Sequence, residues 1–253
     1  MPDGPVQLRP SHHADRMKQH SGVIFGALDA LAYRENWQTR EQLTVDVGCF
    51  DGTLLQQAAA ANPQLNFVGI DWKAGALCDA ADRFKQLGLD NVRLIHGRGQ
   101  DIAAWFTPGE VKEIWLFHPD PCDRPIEWPH RLMNPPWLLD AATALKPGGS
   151  LCLKTDHVGY YQWSLAVLGE TQPDWTSARK HAHRERVDES TLPGCWTQAR
   201  DRFEVVGRSE DFWHDAGLQE MLKGRAFWNL RSGFEERFVK KHWPIYWVEL
   251  CRR

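Results

Sequence analysis

Acidic residues and glycines between positions 46 and 71 have the spacing of a nucleotide-binding turn. Asp46, Gly48 and Gly52 follow a β-branched run and precede a segment with helical spacing. Glycines at such a turn let the backbone approach a ligand, and the helix N–H groups face its carboxylate or phosphate. Asp71 ends the next apolar run, where an acid accepts both hydroxyls of a ribose. This pattern predicts a nucleoside-containing cofactor, and it lacks the G-x-G-x-x-G typical of nicotinamide enzymes.

A second group of acidic residues follows later strand-like runs. Asp120 lies between two prolines directly after an apolar run, and Asp156 ends the run that contains Thr155. From these strand ends, carboxylates would hold a flat nitrogenous ring by accepting its N–H groups. Each acid also has a structural alternative, since Asp120 suits a turn and Asp156 suits the N-cap of the following helix.

Strand-like and helix-like segments alternate along the chain. Strands are predicted over 43–47, 66–70, 92–96, 111–117, 150–155, 203–208 and 244–251, and helices over 21–34, 53–61, 75–87, 101–106, 137–145 and 160–168. No helix is predicted between the last two strands. The fold class is therefore α/β, a mostly parallel doubly wound sheet with an antiparallel C-terminal edge.

One domain over 1–253 fits the length of the chain. We expect it to carry an N-terminal helical extension (about 1–40) and a polar insertion or flap (about 172–202). No apolar run approaches the roughly 20 residues of a membrane span, and the N-terminus lacks the apolar core of a secretory signal, so we expect a cytoplasmic location.

Cysteine spacing and charge narrow the expected partners. The six cysteines form no C-x-x-C pair, which argues against a zinc site and a disulfide framework, and no metal is expected. The net charge of −3 would repel a polyanion, although residues 223–253 carry eight Lys or Arg against three Glu. Thirteen tryptophans suggest aromatic pocket walls.

The order of motifs resembles the tRNA (guanine-N7)-methyltransferase family over roughly residues 43–253. The matching stretches are Val45 to Gly52, Phe67 to Asp71, Leu116 to Pro121, Leu145 to Gly149, Thr155-Asp156 and Ser232 to Glu235. The resemblance implies a Rossmann-like class I methyltransferase that uses S-adenosyl-L-methionine. It places the donor at Asp46, Gly48, Gly52, Asp71, Trp72, Gln100, Asp101 and Phe117, and the guanine at Asp120, Thr155, Asp156, Ser232 and Glu235.

Methyl transfer to guanine N7 needs positioning more than a strong base. The nitrogen has a free lone pair at neutral pH, and holding it near the methyl group makes the reaction effectively intramolecular. Positive charge moves onto the purine during transfer, so Asp120 beside the ring would act as the catalytic residue by stabilising that charge. Asp120 and Glu235 would also distinguish guanine from adenine by accepting from N1–H and the exocyclic amine.

Three departures from the family pattern keep other functions open. The stretch after Asp120 has two basic residues, Arg124 and Arg131, in place of a dense basic run that contacts RNA. Arg131 is a candidate phosphate ligand, or else a solvated cation. Phe50 replaces a glycine of the turn, and Arg98 stands where an acid facing adenine is usual, so that Gln100 or Asp101 would take over that contact.

The expected partner is therefore tRNA or a small purine-like heterocycle. A small aza-heterocycle would stack on a tryptophan such as Trp72 without any RNA. A third hypothesis is a catalytically silent cofactor-binding subunit, which Phe50 crowding the turn would explain.

Overall fold

The computed structural model describes most of the chain. The described residues are residue 8 and the ranges 12–27, 32–35, 37–38, 40, 42–122, 124, 127, 130–170 and 196–253. Most of the predicted insertion, 172–202, lies outside them, while its end, Trp196–Arg202, forms a helix that buries Ala199. Within the described ranges, no helix is long and apolar enough to cross a bilayer.

An eight-stranded sheet organises the molecule. Its strands are β1 (Ile24–Phe25), β2 (Leu43–Val47), β3 (Asn66–Asp71), β4 (Val92–His96), β5 (Val111–Phe117), β6 (Leu145–Thr155), β7 (Phe203–Ser209) and β8 (Tyr246–Arg252), in the spatial order β1-β4-β3-β2-β5-β6-β8-β7. Strands β1 to β6 pair in parallel, and β8 pairs antiparallel with β6 and β7. The predicted mostly parallel sheet with an antiparallel C-terminal edge is confirmed.

Helices cover both faces of this sheet. They are α1 (Ala14–Lys18), α2 (Thr53–Ala61), α3 (Ala74–Gln86), α4 (Ile102–Trp105), α5 (Pro135–Ala144), α6 (Val158–Leu168), α7 (Trp196–Arg202), α8 (Ala216–Leu222) and α9 (Gly233–Lys240). One face buries Leu55 of α2 and Phe84 of α3, and the other buries Leu138 of α5 and Trp163 of α6. Burial on both faces explains the nearly continuous apolar character of the central strands.

The chain order reverses at β2, which lies between β3 and β5. Ligands of open α/β sheets bind outside the carboxyl ends of the strands at such a switch point. Gly48 follows β2, Asp71 ends β3, His118 follows β5 and Asp156 follows β6. The topology therefore brings both groups of predicted site residues to one edge of the sheet.

The helix predicted over 21–34 is wrong in its described part. Ile24 and Phe25 form β1, which extends the sheet by pairing with Leu94 and Ile95 of β4, and Ala32–Arg34 is a single 3-10 turn. The carbonyl of Val23 also accepts from the amide of Leu94 at 2.8 Å. Pairing with an open sheet edge outweighs the helical spacing of these apolar residues.

The prediction that no helix separates the last two strands is also wrong, since α8 and α9 lie between β7 and β8. Each is capped by a side chain: Asp215 accepts from Leu218 N at 3.0 Å and Ser232 accepts from Glu235 N at 3.2 Å. The S-x-x-E spacing from Ser232 to Glu235 is an N-terminal helix signal.

Candidate active site

The turn after β2 has a left-handed backbone at three of its five positions. Gly48, Phe50 and Gly52 have φ values of +84°, +49° and +67°, and Gly52 is the N-cap of α2. A Cβ placed on Gly48 would meet no atom within 4 Å, so the backbone there borders open space. Exposed backbone beside the N-terminus of α2 fits the carboxylate of an amino-acid-containing ligand.

Asp71 is held with both carboxylate oxygens in fixed directions. Its Oδ2 accepts from Phe50 N at 2.9 Å and its Oδ1 accepts from Lys73 N at 2.8 Å. Each oxygen has a further lone pair, and the residue is buried at the end of β3. Two oriented acceptors at this place fit the two hydroxyls of a ribose.

Asp46 is buried in β2, and its carboxylate accepts no hydrogen bond from any residue that the structure describes. Burial, and secondarily the charge of Asp71, raise the pKa of Asp46 to about 7. A cationic ligand beside it would favour the ionised form. Asp46 is therefore suited to a ligand that carries a positive charge.

The segment after β4 also passes close to the turn. A Cβ on Gly99 would lie 2.4 Å from Cγ1 of Val47, and the carbonyl of Gly99 accepts from Trp137 Nε1 at 2.8 Å. Gln100 is exposed and Asp101 half-buried in the 3-10 turn that starts at Gly99. These positions suit an adenine contact, which stays a prediction for both side chains.

Trp72 and Phe117 lie in different surroundings. Trp72 is 64% exposed, directly after Asp71. Phe117 packs inside an aromatic cluster, stacked on Trp115 at 5.6 Å and edge-on to Phe227 at 5.6 Å. This packing explains why Phe117 is aromatic, and its contact with the donor stays a prediction.

On the other side of the switch point, after β5, the His118 ring lies between the carboxylates of Asp156 and Glu235. Its Nδ1 lies 3.4 Å from Oδ1 of Asp156 and its Nε2 lies 3.7 Å from Oε2 of Glu235. Burial lowers the pKa of His118, but these carboxylates outweigh that effect and raise it overall. His118 also has a positive φ of +53°, and its amide donates to the carbonyl of Lys154 at 2.7 Å.

Glu235, in the first turn of α9, is fully buried and neutralises Lys154. Its Oε1 accepts from Lys154 Nζ at 3.2 Å and from Trp213 Nε1 at 2.9 Å. Although burial opposes ionisation, the charge of Lys154, the hydrogen bond that Lys154 donates and the nearby His118 ring lower the pKa of Glu235 to about 2. Sequence analysis missed Lys154 and Trp213 as partners and left His118 outside the site; a lysine inside a buried strand was the available signal.

Asp120 is exposed in the loop after β5. Its Oδ1 accepts from Cys122 N at 3.1 Å, which fixes a short turn, and its Oδ2 accepts no hydrogen bond from the described residues. The carboxylate is therefore oriented and accessible. Asp156 is 29% exposed, so a ligand can reach it beside its contact with His118.

Arg131 has a different environment from a surface cation. Its side chain is 1% exposed, its Nε donates to the carbonyl of Pro121 at 2.8 Å, and its guanidinium lies 5.3 Å from the rings of Tyr160 and Trp163. This placement favours a role in holding the loop of Asp120. Phosphate binding by Arg131 stays a prediction.

Fold and site together define a class. A parallel sheet with its switch point at a glycine-rich turn, an oriented acid that ends the next strand and an antiparallel C-terminal edge is the architecture of a class I S-adenosylmethionine-dependent methyltransferase. Residues 40–195 match the model of the Methyltransf_4 family, described as "Putative methyltransferase", and the chain belongs to this family. The protein is an enzyme that uses S-adenosylmethionine as methyl donor.

Solved structures of methyltransferases share the fold. The 16S rRNA methyltransferase KamB is similar with a TM-score of 0.54 and 13% identity, covering 97% of this chain and 95% of that chain. The aminoglycoside resistance methyltransferase NpmB1 has a TM-score of 0.50 and 17% identity, covering 85% and 89%. A mutant 16S rRNA (adenine(1408)-N(1))-methyltransferase from Catenulisporales acidiphilia with cosubstrate SAM has a TM-score of 0.50 and 14% identity, covering 97% and 93%.

Proposed function

We propose that the protein transfers a methyl group to a purine ring nitrogen in RNA, with N7 of guanine in tRNA as the acceptor. The observation that carries this proposal is the oriented, exposed carboxylate of Asp120 after β5, on the edge of the sheet that holds the donor turn. The family of the chain and its similarity to the tRNA (guanine-N7) motifs support the same acceptor.

The donor residues have separable roles in this proposal. Gly48 and the N-terminus of α2 bind the carboxylate of the donor, Asp71 binds its ribose, and Asp46 faces its positive charge. When bound, the donor supplies a methyl group on a positively charged sulfonium. No residue needs to remove a proton, because N7 of guanine attacks with a free lone pair.

The acceptor residues hold the ring and stabilise its developing charge. Asp120 accepts an N–H of the guanine edge and favours the positive charge that reaches the ring during transfer. Asp156 offers a second acceptor beside the His118 ring. In this arrangement Glu235 and Ser232 act through position: Glu235 anchors α9 to β6 and Ser232 caps α9, which sets the far wall of the site.

Methyl transfer from labelled S-adenosylmethionine tests this proposal. We expect label in N7-methylguanine of an unmodified tRNA transcript, and no label in a low-molecular-weight metabolite extract. Asp120→Asn keeps the shape of the side chain but removes its charge, so turnover should fall on the order of 10²-fold while donor affinity is kept. Asp201→Asn, an exposed acid on α7, is the matched control. Unchanged turnover in Asp120→Asn would contradict the role of that carboxylate.

A second candidate is N-methylation of a small aza-heterocycle. The observation that favours it concerns the two described arginines of the loop after β5: Arg124 pairs with Glu127, and Arg131 is buried on Tyr160 and Trp163. A loop whose cations are used internally neutralises few phosphates. Label found in metabolites and absent from tRNA would select this candidate.

The inactive-subunit hypothesis loses its main support. It depended on Phe50 crowding the turn, yet Phe50 adopts the positive φ of the glycine it replaces and its amide orients Asp71. The turn therefore keeps the conformation that a donor site requires.

A further inference from the structure

We propose that an unpaired nucleotide beside the methylated base stacks on three exposed rings, those of Trp72, Phe50 and Phe234, while Lys73 and Arg237 contact its phosphates. This inference rests on the proposed RNA substrate and names the surface that replaces the missing basic loop. Together these five residues are called the aromatic ridge below.

The three rings are exposed, and those of Phe50 and Phe234 are neighbours. Trp72 is 64% exposed, Phe234 49% and Phe50 38%. Phe50 and Phe234 have ring centroids 6.1 Å apart, which joins the donor turn to the start of α9. The ridge therefore extends from the donor side of the site to the acceptor side. A nucleotide that flanks the acceptor base would meet it.

The backbone conformation of Phe50 is unfavourable for the stability of the fold. A non-glycine residue at φ +49° is in the left-handed region, where a bulky side chain is unfavourable. Burial of the ring would offset this cost, but Phe50 remains more than one-third exposed. A glycine would adopt the same backbone without strain, and strained residues concentrate at functional sites. The Phe50 ring therefore fits a role in ligand binding better than a role in stabilising the fold.

Cations border the rings and are available to a ligand. Nζ of Lys73 lies 4.8 Å from the centroid of Phe50 and 5.7 Å from that of Trp72, and Cζ of Arg237 lies 5.6 Å from that of Phe234. Neither cation forms an ion pair with any acid that the structure describes. Rings that alternate with unpaired cations are the surface that binds single-stranded nucleic acid, since rings stack bases and cations neutralise phosphates.

Space for a nucleotide lies beside the ridge. A cavity of about 700 Å³ is lined by Phe50, Trp72, Lys73 and Arg83, together with His12 and His13 near α1. This volume is in the range of small-ligand sites. The lining also includes Arg16, Asp51 and Asp79; Arg16 pairs with Asp79, and Arg83 donates to the carbonyl of Asp51. Among these lining residues, Lys73 is therefore the cation left for a phosphate, beside two rings that can stack a base.

Phe50→Gly gives the sharpest test because stability and binding should change in different directions. Removing the ring relieves the backbone strain, so the unfolding midpoint should stay the same or rise. Affinity for an unmodified tRNA transcript, measured by fluorescence anisotropy, should fall about 5- to 100-fold. Phe234→Ala should weaken RNA binding likewise. Leu87→Ala, at an exposed apolar residue after α3, is the control and should change neither.

Lys73→Gln tests the phosphate contact separately. Loss of one phosphate contact should reduce the slope of log affinity against log salt by about 1. Lys85→Gln, near the other end of α3, should leave the slope unchanged. If the wild type binds tRNA and all ridge variants bind it equally well, the ridge is refuted while the proposed function stands. If the wild type binds no RNA, both proposals fail.

Discussion

Lowering the pH through 7 should weaken binding of the methyl donor, because Asp46 then loses its charge. Burial first, and the neighbouring charge of Asp71 second, raise the pKa of Asp46 to about 7. The donor carries an α-ammonium group and a sulfonium. A site that contains ionised Asp46 should therefore bind it more tightly than a site with the neutral acid.

The expected size of the effect follows from the titration of one group. With a pKa of about 7, roughly nine-tenths of Asp46 is ionised at pH 8 and roughly one-tenth at pH 6. If only the ionised form binds well, the dissociation constant rises about tenfold between these pH values, which is ~1.4 kcal/mol. In the donor-free protein the sign is opposite: because the folded pKa is raised, the stabilising contribution of Asp46 is lost as the pH rises from about 4 to about 7.

Calorimetric titration with S-adenosylhomocysteine, which retains the ammonium group, measures this dependence. We expect weaker binding at pH 6 than at pH 8, with proton release near pH 7 in buffers of different ionisation enthalpy. Asp46→Asn should bind more weakly at pH 8 and lose most of the pH dependence. Asp140→Asn, which removes another carboxyl group whose pKa burial raises, should keep it. The reasoning is refuted if the wild-type affinity is equal at both pH values.

Two further predictions concern the framework around the acceptor. Lys154→Met leaves Glu235 buried without its cation and should lower the free energy of unfolding by about 3–5 kcal/mol in a urea titration. Lys85→Met, at an exposed position, should change this free energy little. An equal effect of the two substitutions would show that the buried ion pair is unimportant for stability. Arg131→Gln leaves the carbonyl of Pro121 without its donor and should lower the free energy of unfolding by about 1–3 kcal/mol. Turnover should fall more than donor affinity. Unchanged turnover would mean that Arg131 does not hold the loop of Asp120.

Most of the sheet could be predicted from the sequence, together with the positions of the turn and the acid that we propose as the donor site. The five central strands have β-branched or apolar runs, four of which end at or just before a glycine or an acid. Most of their apolar residues are buried, so local pattern and tertiary environment agree. The turn at Gly48 and the acid at Asp71 were recognisable for the same reason. Their roles depend on backbone conformation next to a strand end, which short sequence patterns encode well.

The elements that were missed depend on partners distant in the chain. Ile24 and Phe25 have helical spacing in sequence, and only the open edge of β4 makes them a strand. The buried ion pair of Glu235 with Lys154 was not predicted, and the substrate contact of Glu235 stays a prediction. Separations of dozens of residues decide both cases, and local propensity carries no information about them.

A crystal structure with S-adenosylhomocysteine tests the central claim most directly. We expect the ribose hydroxyls within hydrogen-bond distance of both oxygens of Asp71, the carboxylate at the turn of Gly48, and the sulfur facing the loop of Asp120. Density for S-adenosylhomocysteine in the cavity lined by Trp72 and Arg83, with none at the turn of Gly48, would contradict the assignment of the donor site and the proposals that depend on it.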